Sequence, residues 1–530
     1  MFKQLFRTKS LDAIIRDTDE PQHQLKRSLG VVDLILLGIG AIIGTGIFAT
    51  IGAAAAGNPT AQKLALMDTP VINVMLQYLG QGGEITGRLG AGPGVALSFV
   101  ITAVACVFCA LCYAEFASLV PIAGSAYTYS YASLGELVAW IIGWDLIIEY
   151  AIGNVAVAIS WAAYFHQLWD GLGVHIPAWL SVDYRSAFQA SEAVAAAGGN
   201  IDSSISLNYE AWISHPTIMG IPIIFNFLAF IIVAAVTWLL VIGVKESARA
   251  NNVMVILKVL ILLFFIGVGA MYVKPENWSP FMPNGFSGVW SGASLIFFAF
   301  IGFDAISTTA EECKNPGKDM PMGIIGSLVI CTVIYIATAF VLTGVERWQN
   351  LGVADPLASV FASLGLNWAA GIIALGAVFS MTAVLLVFQL GQPRIFFAMS
   401  RDGLLPKYFA KVHPKYKTPH VTTIWTGIVV AVFSGFANIN EVVELTNIGT
   451  LFAFILVCVD IIILRRIAPE RKRMFKTPLV PLIPLLGIGM CLYLMLGLPV
   501  LTWARFGVWL LIGAVIYLLY GIRRSKQRTT

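Results

Sequence analysis

The stretch GIGAIIGTGIF, residues 38–48, decides the reading of this chain. It lies within an apolar run, 31–55, yet carries four glycines and a threonine. Each glycine weakens a helix by about 1 kcal/mol, so a local break is expected at membrane depth. Gly40 and Gly44 also form a GxxxG pair suited to close helix packing, and packing and a break weigh equally here. A second, independent irregularity is FFAFIGFDAIS at 297–307, where Gly302 precedes Asp304 by two residues.

The rest of the chain supports a lipid setting for both segments. Of 530 residues 58% are hydrophobic and 12% charged, against roughly 45–50% and about 25% in an ordinary soluble domain. Mean hydropathy is +0.82, and a soluble protein of this size would still need a wetted exterior. A net charge of +4 from 33 Lys plus Arg against 29 Asp plus Glu excludes nucleic acid as a partner. No phosphate-binding loop, HExxH zinc motif or intramembrane aspartyl protease motif is present, so an enzyme is not expected and no cofactor or metal is implied. The seven cysteines, with Cys106, Cys109 and Cys112 three apart, read as small apolar residues, not as a disulfide framework or a metal site.

Apolar runs long enough to cross about 30 Å of hydrocarbon recur at 31–55, 94–118, 136–163, 219–243, 251–273, 288–310, 321–344, 368–393, 423–437, 444–464, 479–498 and 503–522. Twelve transmembrane helices of an all-α membrane protein are therefore expected, the ninth with the least secure limits. Segments on one side hold 26 of the 33 cations and segments on the other hold six, which places both termini in the cytoplasm. The remaining cation, Lys258, lies inside a span. No cleavable signal peptide is expected, because the polar first 30 residues precede a span too long for one. The outer loops 57–92 and 170–217 are long. They read as partly helical caps over the outer mouth, with 190–206 as a mobile strip.

The two glycine-broken segments lead spans one and six and run in opposite directions. The expected organisation is a cytoplasmic segment 1–30, a first repeat of five helices 31–273, an inverted second repeat 288–464, two further helices 479–522 and a cytoplasmic tail 523–530. Interrupted lead helices of an inverted repeat point to a midplane transport site. Freed amides of Gly44, Thr45 and Gly46, just after Ile42, suit a carboxylate. Freed carbonyls around Phe298, Ala299 and Ile301 suit an ammonium, so the pair fits a free amino acid.

Ionisable residues inside spans are costly and default to functional candidates. Lys258 and Asp304 each lie about 10 Å from the inner end of their helix at 1.5 Å per residue, opposite charges at equal depth. Snorkelling of Lys258 and capping of the broken helix by Asp304 are the competing readings. Asp145 and Glu149 are four apart, hence on one helix face, with hydrogen bonding to other helices as their alternative. Glu115, Asp33 and Asp460 fall at span ends, where interfacial solvation is the expectation.

With those residues in hand, the sequence resembles the amino acid-polyamine-organocation superfamily, in the bacterial form of its cationic amino acid transporter branch. The resemblance rests on GIGAIIGTGIF at 38–48, ALCYAEFASLVPIAGSAYTYSYASLGE at 110–136 and GWDLIIEYAIG at 143–153. It continues through FFAFIGFDAISTTAEECKNPGKDMP at 297–321 and GQPRIFFAMSRDGLLP at 391–406. It implies a LeuT-type five-plus-five inverted repeat with helices 1 and 6 broken. It further implies a carboxylate held at Gly44, Thr45 and Gly46, an ammonium held by the main chain at Phe298 and Ile301, and Phe298 as an aromatic lid. Glu149 would face the site and Met381 would line its side-chain end. Lys258 would fill the space of a sodium ion. Both long outer loops depart from the family pattern.

The expected function is proton-coupled symport of L-amino acids across the cell membrane by alternating access. Neutral small or branched substrates are favoured over cationic ones. Exchange without protons and a non-transporting amino acid sensor remain alternatives, and the oligomeric state is open. Proton coupling is expected to run through Lys258 and Asp304. Desolvation and a neighbouring carboxylate compete for the lysine's proton, and in the outward-open state the protonated lysine is expected on carbonyls of the helix 1 break.

Overall fold

The computed structural model describes residues 7–8, 29–59, 65–79, 87–119, 125–196, 205–242, 248–415, 418–471 and 473–525. Most of the expected N-terminal segment, the end of the tail and residues 197–204 of the expected mobile strip lie outside the described residues. The chain is a multi-span helical membrane protein. Its long apolar helices are α1 (Val31–Ile42 with Gly46–Ala56), α2 (Val95–Leu119), α3 (Glu136–Gly171), α4 (Phe227–Ile242), α5 (Ala248–Ala270) and α6 (Gly285–Ser307). There follow α7 (Pro316–Val345), α8 (Asn367–Arg401), α9 (His420–Phe436), α10 (Ile439–Ile467), α11 (Leu482–Leu496) and α12 (Val500–Arg524). Among the described residues, eight of these are single helices long and apolar enough to cross a membrane, and α1 is a bent pair that makes a ninth. Of the others, α9 and α11 have 17 and 15 residues, short of about 30 Å of hydrocarbon at 1.5 Å per residue, and the described part of α4 has 16.

The first helix does break where its glycines predicted. Its first half ends at Ile43, which turns extended (ψ 103°), and a π turn over Gly46–Thr50 begins the second half. The halves meet at 43°. The sixth helix runs regularly to Ile296, tightens over Phe297–Phe300, turns extended at Ile301 (ψ 137°) and resumes at Asp304. Glycines of this stretch other than the Gly40–Gly44 pair also pack closely, Gly38 against Ser327 and Gly46 against Ala299. A Cβ on Gly46 would lie 2.1 Å from the Cα of Ala299. Gly302 has φ +116°, and a Cβ there would lie 2.8 Å from the Ala41 carbonyl oxygen. Each broken helix therefore presses its bare backbone against the other's break.

We call the face that carries the two long loops the loop side. The first loop is pinned by a short antiparallel hairpin, β1 (Gly57–Pro59) with β2 (Gly87–Leu89). It is tied to the α11–α12 connection through Val71 N–H to the Leu498 carbonyl (3.1 Å) and Val500 N–H to the Thr69 carbonyl (3.2 Å). Arg88 of β2 pairs with Glu444 of α10 at 2.8 Å. The second loop forms helices Tyr184–Ala196 and Ser206–Ser214 around their own small core of Ala178, Val182, Ala187, Ala211 and Ile224. It ends in a tight hairpin, β3 (Thr217–Ile218) with β4 (Ile221–Pro222), before α4. Arg185 reaches Glu441 of α10, which Arg505 of α12 also meets at 3.0 Å. Both loops are thus clamped to the first turns of α10 by an arginine.

Three expectations change. Glu115 is not solvated at a span end. It is fully buried and held by Arg465 (2.7 Å), Arg473 (3.1 Å) and the Thr477 N–H (2.7 Å). Asp460 is likewise buried, accepting from Ser130 and Ser133. The span expected at 219–243 starts as a helix only at Phe227, because its first apolar residues belong to the β3–β4 hairpin. All seven cysteines are buried and free, with the Cys109 and Cys491 sulfurs 3.4 Å apart.

Candidate substrate site between the broken helices

A small cavity lies where the breaks of α1 and α6 cross. It is lined by Ala41, Ile42, Gly44, Thr45, Gly46, Val157, Phe298, Ile301, Val384 and Phe388. Its volume of about 10 Å³ has room for roughly one water molecule, so this is a closed arrangement. Ile42, Gly44, Thr45, Gly46, Phe298 and Ile301, all named from the sequence, are brought together here. Ala299, Glu149 and Met381 are not among the lining residues.

The chemistry of the α1 edge follows from its broken backbone. After Ile43 the chain leaves the helix, and the next backbone bonds run from the Ile47 and Phe48 N–H groups back to the Gly44 carbonyl (3.2 and 3.3 Å). The amides of Gly44, Thr45 and Gly46 stand at the N-terminal end of the second half, where the helix dipole favours an anion. The Thr45 hydroxyl is 1% exposed and has no hydrogen-bond partner among the described residues. An unpartnered buried hydroxyl is costly unless something meets it.

Carbonyls dominate the opposite edge, and Tyr335 of α7 spans them. Its hydroxyl lies 3.0 Å from both the Ile42 and the Ala299 carbonyl oxygens, so its single proton is shared between the two breaks. Asn447 of α10 donates to the Ser294 and Leu295 carbonyls (2.8 and 3.0 Å), holding the last regular turn of α6 above its break. The remaining wall is hydrocarbon from Val157, Val384 and Phe388, with no carboxylate in it. Met381 is buried in α8, but Val384 and Phe388, three and seven residues on, carry that helix's contribution. Met381 shares their face of the helix, one to two turns away.

The ionisable residues separate into two groups. Lys258 of α5 is 2% exposed and donates to the Gly40 carbonyl (2.7 Å) and, more loosely, the Ile43 carbonyl (3.3 Å). It does not snorkel. Ser380 of α8 donates to the same Ile43 oxygen at 3.3 Å. Asp304 does not pair with Lys258. It lies near Glu149, with neither of its carboxyl oxygens hydrogen-bonded among the described residues, and Glu149 lies in a π turn of α3, Ile148–Ile152. Equal depth does not bring Lys258 and Asp304 into contact, because Asp304 follows the extended turn at Ile301 and is carried to the α3 side. Asp145, one turn before Glu149, is buried with neither carboxyl oxygen hydrogen-bonded. Among the described residues no cation reaches Asp304, Glu149 or Asp145, and no carboxylate reaches Lys258.

Sequence reasoning missed Val157, Val384, Phe388, Tyr335 and Asn447. Phe388 shares its helical face with Met381, so extending that face by two turns would have found it. Tyr335 and Asn447 act through backbone carbonyls, and nothing in their local sequence marks that.

Comparison with known proteins bears on the same chain. A family model described as amino acid permease matches residues 70–519. The branched-chain amino acid permease BcaP of Bacillus subtilis (strain 168) is 48% identical, over 98% of each chain. The methylthioribose transporter of the same organism is 42% identical, again over 98% of each. The vacuolar cationic amino acid transporter 4 of Arabidopsis thaliana is 33% identical over 88% of this chain and 68% of its own.

Proposed function

Since the chain belongs to the amino acid permease family, we propose that it imports neutral, small or branched L-amino acids by proton-coupled alternating access. The observation that carries the reading is the crossing of the two breaks. Free amides and the unpartnered Thr45 hydroxyl stand on one edge, main-chain carbonyls on the other, and hydrocarbon forms the wall between them. A zwitterion presents its carboxylate to the first edge and its ammonium to the second. Displacing the shared Tyr335 proton from Ile42 and Ala299 is one way to free acceptors for the ammonium. Val157, Val384 and Phe388 offer nothing to a guanidinium or a second ammonium, which disfavours arginine and lysine. The likeness to a branched-chain permease supports the same choice.

Transport needs the site to open to each face in turn. Lys258 links α5 to the inner half of α1 through Gly40, and to its break through Ile43. In its protonated form the lysine's donors hold α1 against α5. Loss of that proton to water on the tail side weakens the link and lets the inner half of α1 swing away. The cytoplasmic placement of both termini, the five-plus-five repeat (31–273 and 288–464) and a full crossing by each of α4, α9 and α11 belong to this proposal.

Uptake into proteoliposomes tests it. Labelled leucine or valine should accumulate in vesicles holding no amino acid when an acid-outside pH gradient is imposed, and the methyl ester of either should compete poorly. Dominance of a twenty-amino-acid competition panel by arginine and lysine would overturn the neutral pocket. Competition by methylthioribose alone would overturn the zwitterion site. Uptake only into preloaded vesicles would mean exchange, and binding without uptake would mean a sensor.

A further inference from the structure

The β3–β4 hairpin before α4 is hard to explain as a water-exposed loop. Ile218 is 61% exposed, Met219 98% and Ile221 64%. Met219 and Gly220 both have positive φ, 52° and 80°. A two-residue turn of that kind favours asparagine, aspartate or glycine, because a side chain there crowds the backbone. A methionine at the first position is disfavoured by its backbone and, in water, by its apolar surface. No Asp, Glu, Lys or Arg occurs between Glu210 and Lys245, so the hairpin runs without charge into α4.

Its position explains what covers it. The described part of α4 begins at Phe227 on the loop side, shortly after the hairpin, and runs to Ile242. There the Asn226 N–H donates to the Gly435 carbonyl at 3.0 Å, tying the start of α4 to the end of α9. Phe225 packs on Phe436 with ring centroids 4.9 Å apart, and Phe227 stacks on Phe230 at 6.0 Å. Phe227 and Phe436 are 43% and 60% exposed, continuing the lipid-facing surface of both helices up to the hairpin.

We propose that the β3–β4 hairpin is a membrane-surface anchor, with Ile218, Met219 and Ile221 inserted into the loop-side leaflet above the α4–α9 pair. Its partner is the headgroup and acyl-chain boundary of the bilayer, into which it continues the lipid-facing surface of Phe227 and Phe436. The anchor holds the base of the second loop at the membrane surface, independently of what the midplane site carries.

The seven native cysteines are all buried, so an added surface cysteine takes a label selectively. A nitroxide on Met219→Cys in proteoliposomes should collide more often with oxygen, which concentrates in lipid, than with a water-soluble nickel chelate. On Glu192→Cys, on the cap helix, the order should reverse. Ile221→Cys gives a second reading and keeps the test alive if Met219→Cys fails to fold. Nickel collisions at 219 and 221 equal to those at 192 would place the hairpin in water and overturn the proposal. Shielding from both reagents, with dipolar broadening between labels, would mean that a second copy of the chain covers it, and would also overturn it.

Discussion

Buried charges at the two ends of the helix bundle live differently from those at its middle. At the ends three acids meet arginines: buried Glu115 meets Arg465 and Arg473, buried Glu444 meets Arg88, and half-buried Glu441 meets Arg185 and Arg505. At the middle Lys258 has only carbonyls, and Asp304, Glu149 and Asp145 have no cation among the described residues. Paired charges resist any change of protonation, since losing one leaves the other stranded. The end pairs therefore act as fasteners. The middle groups are free to exchange protons as water reaches them, and the proposed transport cycle uses that freedom.

The largest effect should come from breaking a fastener. Glu115→Ala leaves two arginines without their buried partner, and removing one member of such a pair costs about 3–5 kcal/mol. Thermal unfolding in detergent should fall sharply. Glu149→Gln, at the middle, should leave that unfolding close to wild type while altering the pH dependence of uptake. Equal destabilisation by both would erase the distinction between ends and middle.

A smaller effect is expected at the substrate edge. Thr45→Ala removes one hydroxyl and should weaken substrate binding by about 0.5–1.5 kcal/mol without loss of folding. Calorimetry or scintillation proximity reads it, and an unchanged affinity removes Thr45 from the site.

A pH effect is expected at the loop-side cap, outside the spans. Burial pushes the Asp183 carboxyl up from 3.8 to about 6, against the pull of the Ser186 hydroxyl and N–H. Its folded state therefore binds the proton more tightly than its unfolded state. Cap stability should be highest below about pH 4 and decline as pH rises through about 6. Asp183→Asn should flatten that decline, as read by hydrogen exchange in the Tyr184–Ala196 helix. A slope unchanged by the substitution would assign the pH dependence to another group.

Legibility from sequence followed how local the cause was. The breaks of α1 and α6 could be read because glycine and an intraspan aspartate act on their own helix. The depth of Lys258 could be read by counting from a span end. What it touches depends on how α1 and α5 are rotated, and no count supplies that. The separation of Lys258 from Asp304 could not be read for this reason, nor could the place of Val384 and Phe388, ahead of Met381, in the cavity wall. Glu115 was read as solvated because Arg465 is 350 residues away. Hydropathy placed the start of the fourth span at 219 because an apolar hairpin and an apolar helix look alike to it.

In the proposed cycle the lysine at the middle carries the proton that drives accumulation. Lys258→Met should be reconstituted into vesicles free of internal amino acid and given only an acid-outside pH gradient. The variant should still bind substrate but no longer concentrate it. A Lys258→Met protein that accumulates substrate under that gradient would overturn this role for the lysine.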